Sequence, residues 1–447
     1  MKRLVLTVML IVGLVPPAWA EVRAITATGE YRMGDNDTRA DAKRMALQDA
    51  KRLALEQAGT YIEGITEVKN FALSRDELRA YIAGIVETTE HGASSTMEGQ
   101  QQVVRVVVNC KIDTDVVARQ IDALRKNEAV KAELLQTRQE ADQLRQELGT
   151  KTRELAAVTS KTEAETIAQA RRKVLTGQDV NSLVAQAWVA LGGPSKTLIL
   201  GSSSIGGRRH ARNLIEQALA LDASNPDVHV ITGGLLMEEG NLEGAIAEYR
   251  TAIRLKPDDA NAHNSLGGAL YLKGDLDGAI VEHRTAIRAK PDHALAHNNL
   301  GFMLHKKGDL EGAIVEYRTA IRLKPDDASF HHNLGIALTA KGDVEGAIAE
   351  YRTAIRLKPD DAESRHSLGV ALYEKNDLDG AIVEYRIAIH LMPDNAGFHA
   401  SLGLAFKAKG QQVEAAREFR EYLRLTPDTP ANRPKIEKAR AALREIE

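Results

Sequence analysis

Pro257, Pro291, Pro325, Pro359, Pro393 and Pro427 stand thirty-four residues apart each time. The residues around them recur with the same period: Ala-Ile-Arg-Leu-Lys-Pro-Asp-Asp occupies 252–259, 320–327 and 354–361. A period of this length is too long for one helix face or one strand. It is the length of a supersecondary unit that hides its apolar side only against its neighbours, so this part of the chain must fold as a stack. With Pro257 as position 32, six units run 226–259, 260–293, 294–327, 328–361, 362–395 and 396–429.

Within a unit the pattern predicts two helices. Glycine fills position 8 (Gly233 to Gly403) and alanine position 20 (Ala245 to Ala415), small residues that let two helices approach closely. Position 11 is Leu or Phe and position 24 is Tyr, Phe or His283, which makes an apolar stripe at helical spacing on each helix. Between the helices stands Gly240, Gly274, Gly308, Gly342, Asn376 or Gly410, the residue types that end a helix in a left-handed conformation. Asp275, Asp309, Asp343 and Asp377 follow as N-caps of the second helix.

Leu-Gly at positions 7 and 8, Ala at 20, an aromatic at 24 and Pro at 32 resemble the tetratricopeptide repeat (TPR) family, over 226–429. The departures are Thr232, Tyr422 and His283. The resemblance implies a mainly α protein built on a right-handed α-solenoid of six repeats, whose first helices line a groove for an extended peptide or a protein partner. Ala211 and Ala218 fit positions 20 and 27 of a degenerate repeat within 176–225, and 430–447 reads as a capping helix. The segment Gly201 to Arg208 has the layout of a phosphate-binding loop, but Gly207 and Arg208 stand where its Lys and Ser/Thr belong, so a flexible turn is the expectation.

Upstream of the repeats, Lys2 and Arg3, the apolar run Leu4 to Val15 and Ala18-Trp19-Ala20 have the order of a secretory signal peptide over 1–20. The mature chain would begin at Glu21, which is not the cysteine a lipoprotein needs, and would be periplasmic or secreted. Residues 21–115 mix strand-like runs (Val22 to Tyr31, Val103 to Ile112) with a helix in which Ala42, Ala46, Ala50, Ala54 and Ala58 recur, and a capping box at Ser74 opens a second helix. This predicts a small α+β domain, similar to the N-terminal module of flagellar assembly protein T and the LPP20 lipoprotein family. From 116 to 175 the sequence reads as a helical stalk, because Leu134, Ala141, Leu148 and Leu155 fall seven apart, with Leu144 and Val158 at the offset of three. That is a coiled-coil seam able to pair two copies, or a single solvated helix.

Net charge bounds the partners. It is -3, and -5 once residues 1–20 are removed, so there is no whole-chain basic field to hold nucleic acid. A lone cysteine, Cys110, excludes an intramolecular disulfide framework and a Cys-based metal cluster, leaving a core residue or an intermolecular disulfide. Histidine recurs at position 4 (His229, His263, His297, His331, His399), and equivalent residues one helix-packing distance apart, ~8–10 Å, do not converge on one metal ion. A ring packed on the adjoining helix is the expectation, and neither metal nor cofactor is implied.

The TPR resemblance places the inner surface at positions 2, 5, 9, 12 and 13, with 6 beside them. The candidate contacts chosen there are Asn264, Asn298 and His332 at 5, Asn299 and Asn333 at 6, and Tyr271, His305 and Tyr373 at 12. The asparagines resemble the ladder with which O-linked N-acetylglucosamine transferases hold extended peptides, since an amide both donates and accepts. Arg at 25 and 29 with Glu at 23 predicts a solvated, salt-laced outer face and no anion site. The reading is a non-enzymatic exported adaptor. The alternatives are an envelope-machine component bound through 21–115 with passive repeats, and an enzyme sited in 21–115, where His91 and Cys110 are the sole histidine and cysteine.

Overall fold

The computed structural model describes residues 22–34, 37–68, 88–113, 128–157, 161–191 and 205–446. The leader 1–20, the helix expected from Ser74 and the Gly/Ser loop at 201–204 lie outside the described residues. Two compact units divide at Thr232/Gly233.

In the first unit, β1 (Val22–Arg32), β2 (Thr88–Glu98) and β3 (Gln101–Asp113) form an antiparallel sheet of order β1-β3-β2. Helix α1 (Arg39–Val68) covers one face. Its alanines 42, 46, 50, 54 and 58 are fully buried against Ile25, Ala27, Val104, Val106, Val108, Cys110 and Ile112. Alanine every fourth residue gives the helix a flat side, and Gly29 completes the approach. A Cβ on Gly29 would stand 2.1 Å from the Ala46 carbonyl oxygen, so any side chain there would force sheet and helix apart. Cys110 is a free, buried core thiol, and burial pushes its pKa up to about 11.

Helices α2 (Glu128–Ala157) and α3 (Lys161–Leu191) make an antiparallel hairpin within the segment read as a helical stalk. Of the heptad seam, Leu148 packs on Val174 and Leu175, and Leu155 on Ala168, with Leu144 beside them. Of that seam, Leu144, Leu148 and Leu155 pack on α3 of the same chain. Helix α3 also runs unbroken through the boundary placed at 175/176.

α3 is fastened to the sheet and α1. Arg171, 1% exposed, sets Nη2 2.6 Å from Asp37 Oδ1 and Nη1 3.4 Å from the Tyr31 hydroxyl. Arg172 makes paired hydrogen bonds to Asp41, and Gln48 donates to Asp179 at 2.6 Å. Burial and the neighbouring Asp37 carboxylate push the Tyr31 hydroxyl up to about 12. Helix α4 (Ile205–Leu221) packs on α3 with Ala211 and Ala218 fully buried.

The repeat stack follows; the division falls inside its first helix, and the rest of the stack is the second unit. First helices α5 (Pro226–Glu238), α7 (Ala260–Lys273), α9 (Ala294–Lys307), α11 (Ala328–Lys341), α13 (Ala362–Glu374) and α15 (Ala396–Ala408) alternate with second helices α6 (Leu242–Leu255), α8 (Leu276–Ala289), α10 (Leu310–Leu323), α12 (Val344–Leu357), α14 (Leu378–Leu391) and α16 (Gln412–Leu425). α17 (Arg433–Ile446) packs on α16. The turns are built as their residues dictate. Gly274, Gly308 and Gly342 cap their helices at φ 92°, 88° and 85°, and Asn376 takes the same place at φ 67°. Asp275, Asp309, Asp343 and Asp377 each accept from the amide three residues on. At Gly335 a Cβ would meet the Tyr351 ring at 2.5 Å, which is why position 8 is glycine opposite an aromatic.

Candidate functional site: the inner face of the repeat stack

First helices of successive repeats touch directly, α7 with α9, α9 with α11, α11 with α13 and α13 with α15. Successive second helices do not come as close. The stack therefore curves with its first helices inside. The side chains that could meet a ligand there fall into two rows with different occupations.

The polar row is closed on itself. Asn299 donates to Asn264 Oδ1 at 3.1 Å, and Asn333 donates to Asn298 Oδ1 at 3.0 Å, so position 6 of one repeat clips position 5 of the repeat before it. His366 and Ser401 repeat the clip at 2.9 Å, and His332 turns to Ser364 at 2.9 Å. Asn264, Asn298 and Asn299 are 4%, 9% and 3% exposed. These amides satisfy one another between helices. Asn333 and His332 are half-buried in the same contacts.

The row at positions 9 and 12 is open and mostly apolar. Phe302, Ile336 and Val370 are half-buried and Leu404 is 49% exposed. Of the residues chosen from sequence, Tyr271, His305 and Tyr373 lie in this row, each half-buried. Tyr271 meets Phe302 edge-to-face with ring centroids 5.5 Å apart, and Lys306 Nζ lies 5.2 Å from the Phe302 ring. Burial and the neighbouring Lys306 hold the His305 imidazole below its ordinary pKa. Position 9 carried the signal the sequence reading passed over: it is Gly234 and Gly268 in the first two repeats, then Phe302, Ile336, Val370 and Leu404.

Four of the position-4 histidines bridge the two helices of their own repeat and the turn that ends the repeat before. His263, His297, His331 and His399 set Nδ1 2.6–2.7 Å from the carboxylates of Glu282, Glu316, Glu350 and Glu418. Their Nε2 atoms lie 3.0–3.1 Å from the carbonyls of Pro257, Pro291, Pro325 and Pro393. A carboxylate and a carbonyl both accept, so each ring stands between two acceptors. The hydrogen bond it donates to its glutamate raises the pKa of His263 and of His297. In the fifth repeat Arg365 reproduces the arrangement, Nε to the Pro359 carbonyl at 3.2 Å and Nη1 to Glu384 at 3.0 Å. The position calls for a side chain that offers two nitrogens and joins the two helices to the preceding turn.

Two further histidines, one fully buried and one half-buried, are held neutral. His283, which replaces the ring at position 24, is fully buried with Nδ1 on Asn264 and no partner for Nε2, and burial lowers its pKa to about 3. His293 caps α9 through Nδ1 and meets Asn261 Oδ1 through Nε2, and burial lowers it to about 4.

A family model for the TPR repeat matches residues 233–274, 267–308, 303–342, 337–375 and 369–410. Among solved structures, MamA is 28% identical over 36% of this chain and 94% of that one, with a TM-score of 0.34. YrrB, a TPR protein with an unusual peptide-binding site, is 22% identical over 44% of this chain and 97% of its own, TM-score 0.36. The pilF protein of Pseudomonas aeruginosa is 21% identical over 49% and 98%, TM-score 0.44. No match was found among curated proteins. Paired helices at a period of thirty-four, glycine against an aromatic ring in each pair and the family match together make residues 233–410 an array of TPR repeats.

Proposed function

We propose that this chain is a protein-interaction scaffold that binds an extended peptide segment of a partner along the inner row Tyr271, Phe302, His305, Ile336, Val370 and Tyr373. One observation carries the choice of row: the polar side chains at positions 5 and 6 are tied to each other, while the row at positions 9 and 12 keeps accessible apolar surface. Aromatic and aliphatic side chains on a rigid backbone supply contact area at small ordering cost. The test begins with peptides selected on the full chain from a random library. Phe302→Glu with Val370→Glu should abolish binding of the selected peptide while the helical circular dichroism signal is retained; retained affinity would sink the proposal.

The scaffold reading extends to an exported protein of the cell envelope. Its support is the order of charges, apolar run and small residues in 1–20. Among the described residues no helix is long and apolar enough to cross a membrane. N-terminal sequencing of the protein from a periplasmic fraction should begin at Glu21; a cytosolic protein beginning at Met1 would refute export.

A further inference from the structure

The outer face holds charge that the bridges inside each repeat leave over. In the second to sixth repeats the glutamate of position 23 is held by the His or Arg of position 4, as Glu282 is by His263 and Glu384 by Arg365. The arginines two and six residues further along the same helix are left without it. Arg250, Arg284, Arg318 and Arg352 at position 25 are exposed, and among the described residues none has a carboxylate partner. The same holds for Arg254, Arg288, Arg322 and Arg356 at position 29. The salt-laced outer face expected from sequence is thus unlaced on its basic side.

The patch has structure and an end. Thr251 and Thr285 donate to the carbonyls of Ala247 and Val281, and their hydroxyls accept from Arg254 and Arg288 at 3.0 and 2.9 Å. The position-29 guanidiniums of those two repeats are steered along the helix. Beyond the fourth repeat the pattern is cancelled: Arg386 lies over the Phe406 ring, position 29 becomes His390, and Arg424 is paired with Glu421. Four consecutive repeats carry the open double column, and the last two close it.

We infer that this double arginine column of repeats one to four is a second binding surface, for an acidic peptide segment rich in Asp and Glu. The step from position 25 to position 29 along a helix is ~6 Å. Alternate side chains of an extended peptide lie ~6.8 Å apart, so two carboxylates on one side of a strand meet two guanidiniums of one helix. Guanidinium forks match carboxylates in paired hydrogen bonds. A flat bilayer would touch a convex stack over a short stretch only. Single-stranded nucleic acid is held by aromatic platforms, whereas position 22 before these arginines is Ala or Val and position 26 between them is Thr.

The inference goes beyond the inner-face reading and is tested apart from it. Binding of a fluorescein-labelled deca-glutamate peptide to the full chain is followed by anisotropy at low salt, about 50 mM, where surface charge is least screened. Replacing Arg250, Arg284, Arg318 and Arg352 by alanine should weaken binding about tenfold or more, with unchanged circular dichroism. Arg424→Ala, in the closed sixth repeat, should leave it as it is, and Phe302→Glu, which destroys the inner-face contact, should leave it as well. Unchanged affinity in the fourfold variant, or no binding by the unaltered chain, overturns the inference. So does tighter binding of a single-stranded oligonucleotide or of anionic phosphatidylglycerol vesicles that depends on the same four arginines.

Discussion

In the first unit Arg171 reaches Asp37 across 134 residues of chain, whereas in the array His297 reaches Glu316 across nineteen, and three other histidines make the same contact. Both are charged bridges between helices or between a helix and its neighbours, yet their consequences for the fold differ. The Arg171 cluster occurs once and is buried, with side-chain exposures of 1% for Arg171 and 4% for Asp37. The histidine bridge is one rung of a quasi-one-dimensional stack in which each repeat contacts its neighbours alone. A single loss in the first unit is a tertiary failure, while a single loss in the array is a local one.

The largest effect should therefore follow Asp37→Ala. It leaves a buried guanidinium with its main partner gone, which costs about 3–5 kcal/mol, and thermal unfolding should split, with the first unit melting early and the array nearly unchanged. A single unshifted transition would show that Arg171 does not hold this unit together.

His297→Ala should cost less, about 1.5–3 kcal/mol, the value of hydrogen bonds to a charged group. Hydrogen exchange should rise in α9 and α10 and stay unchanged in α13 and α14. The pH dependence sharpens the contrast within the array. His263 and His297 have raised values in the fold, so their contribution is whole below the unfolded value of about 6.5 and is lost as pH rises through the raised one. His283 and His293 are lowered to about 3 and about 4, so theirs is present above about 6.5 and is lost as pH falls toward those values. Urea unfolding should show greatest stability near neutrality. His297→Arg, copying Arg365, should flatten the alkaline side, and His283→Tyr the acid side; an unaltered profile in both variants would show that these rings do not set it.

The smallest effect belongs to the exposed ladder on the array's edge. Lys273, Lys307, Lys341 and Lys375 bridge Glu243, Asp277, Glu311 and Glu345 of the preceding repeat at 2.6–2.8 Å. Asp277 is 80% exposed, so Lys307→Ala should cost under about 1 kcal/mol and still less in high salt. A larger loss would mean these pairs act as a network.

The same contrast explains what could be read from sequence. The repeat's helices, left-handed glycines and caps follow from neighbours within thirty-four residues, and Gly335 against Tyr351 or Asn376 at positive φ is legible from spacing. The hairpin of α2 and α3 is not. A heptad of leucines calls for an apolar partner without saying whether that partner is another copy or the next helix, and Asp37 and Asp41 lie too far from Arg171 and Arg172 for local pattern to pair them. At the inner face, Asn298 and Asn299 have chemistry suited to a peptide backbone, but an amide on the adjacent helix serves it equally well. Which partner the amide meets depends on the register between repeats, and that is set by packing. Position 9, changing from glycine to Phe302, Ile336, Val370 and Leu404, was visible all along.

The most direct measurement sets the two inner rows against each other in one pair of variants, reading melting temperature and affinity for the selected peptide on the same samples. Asn298→Ala with Asn333→Ala should lower the melting temperature and leave affinity nearly intact, while Phe302→Glu should abolish affinity and leave melting nearly intact. Loss of affinity in the asparagine variant, with Phe302→Glu still binding, would contradict the assignment and return the binding role to the polar row.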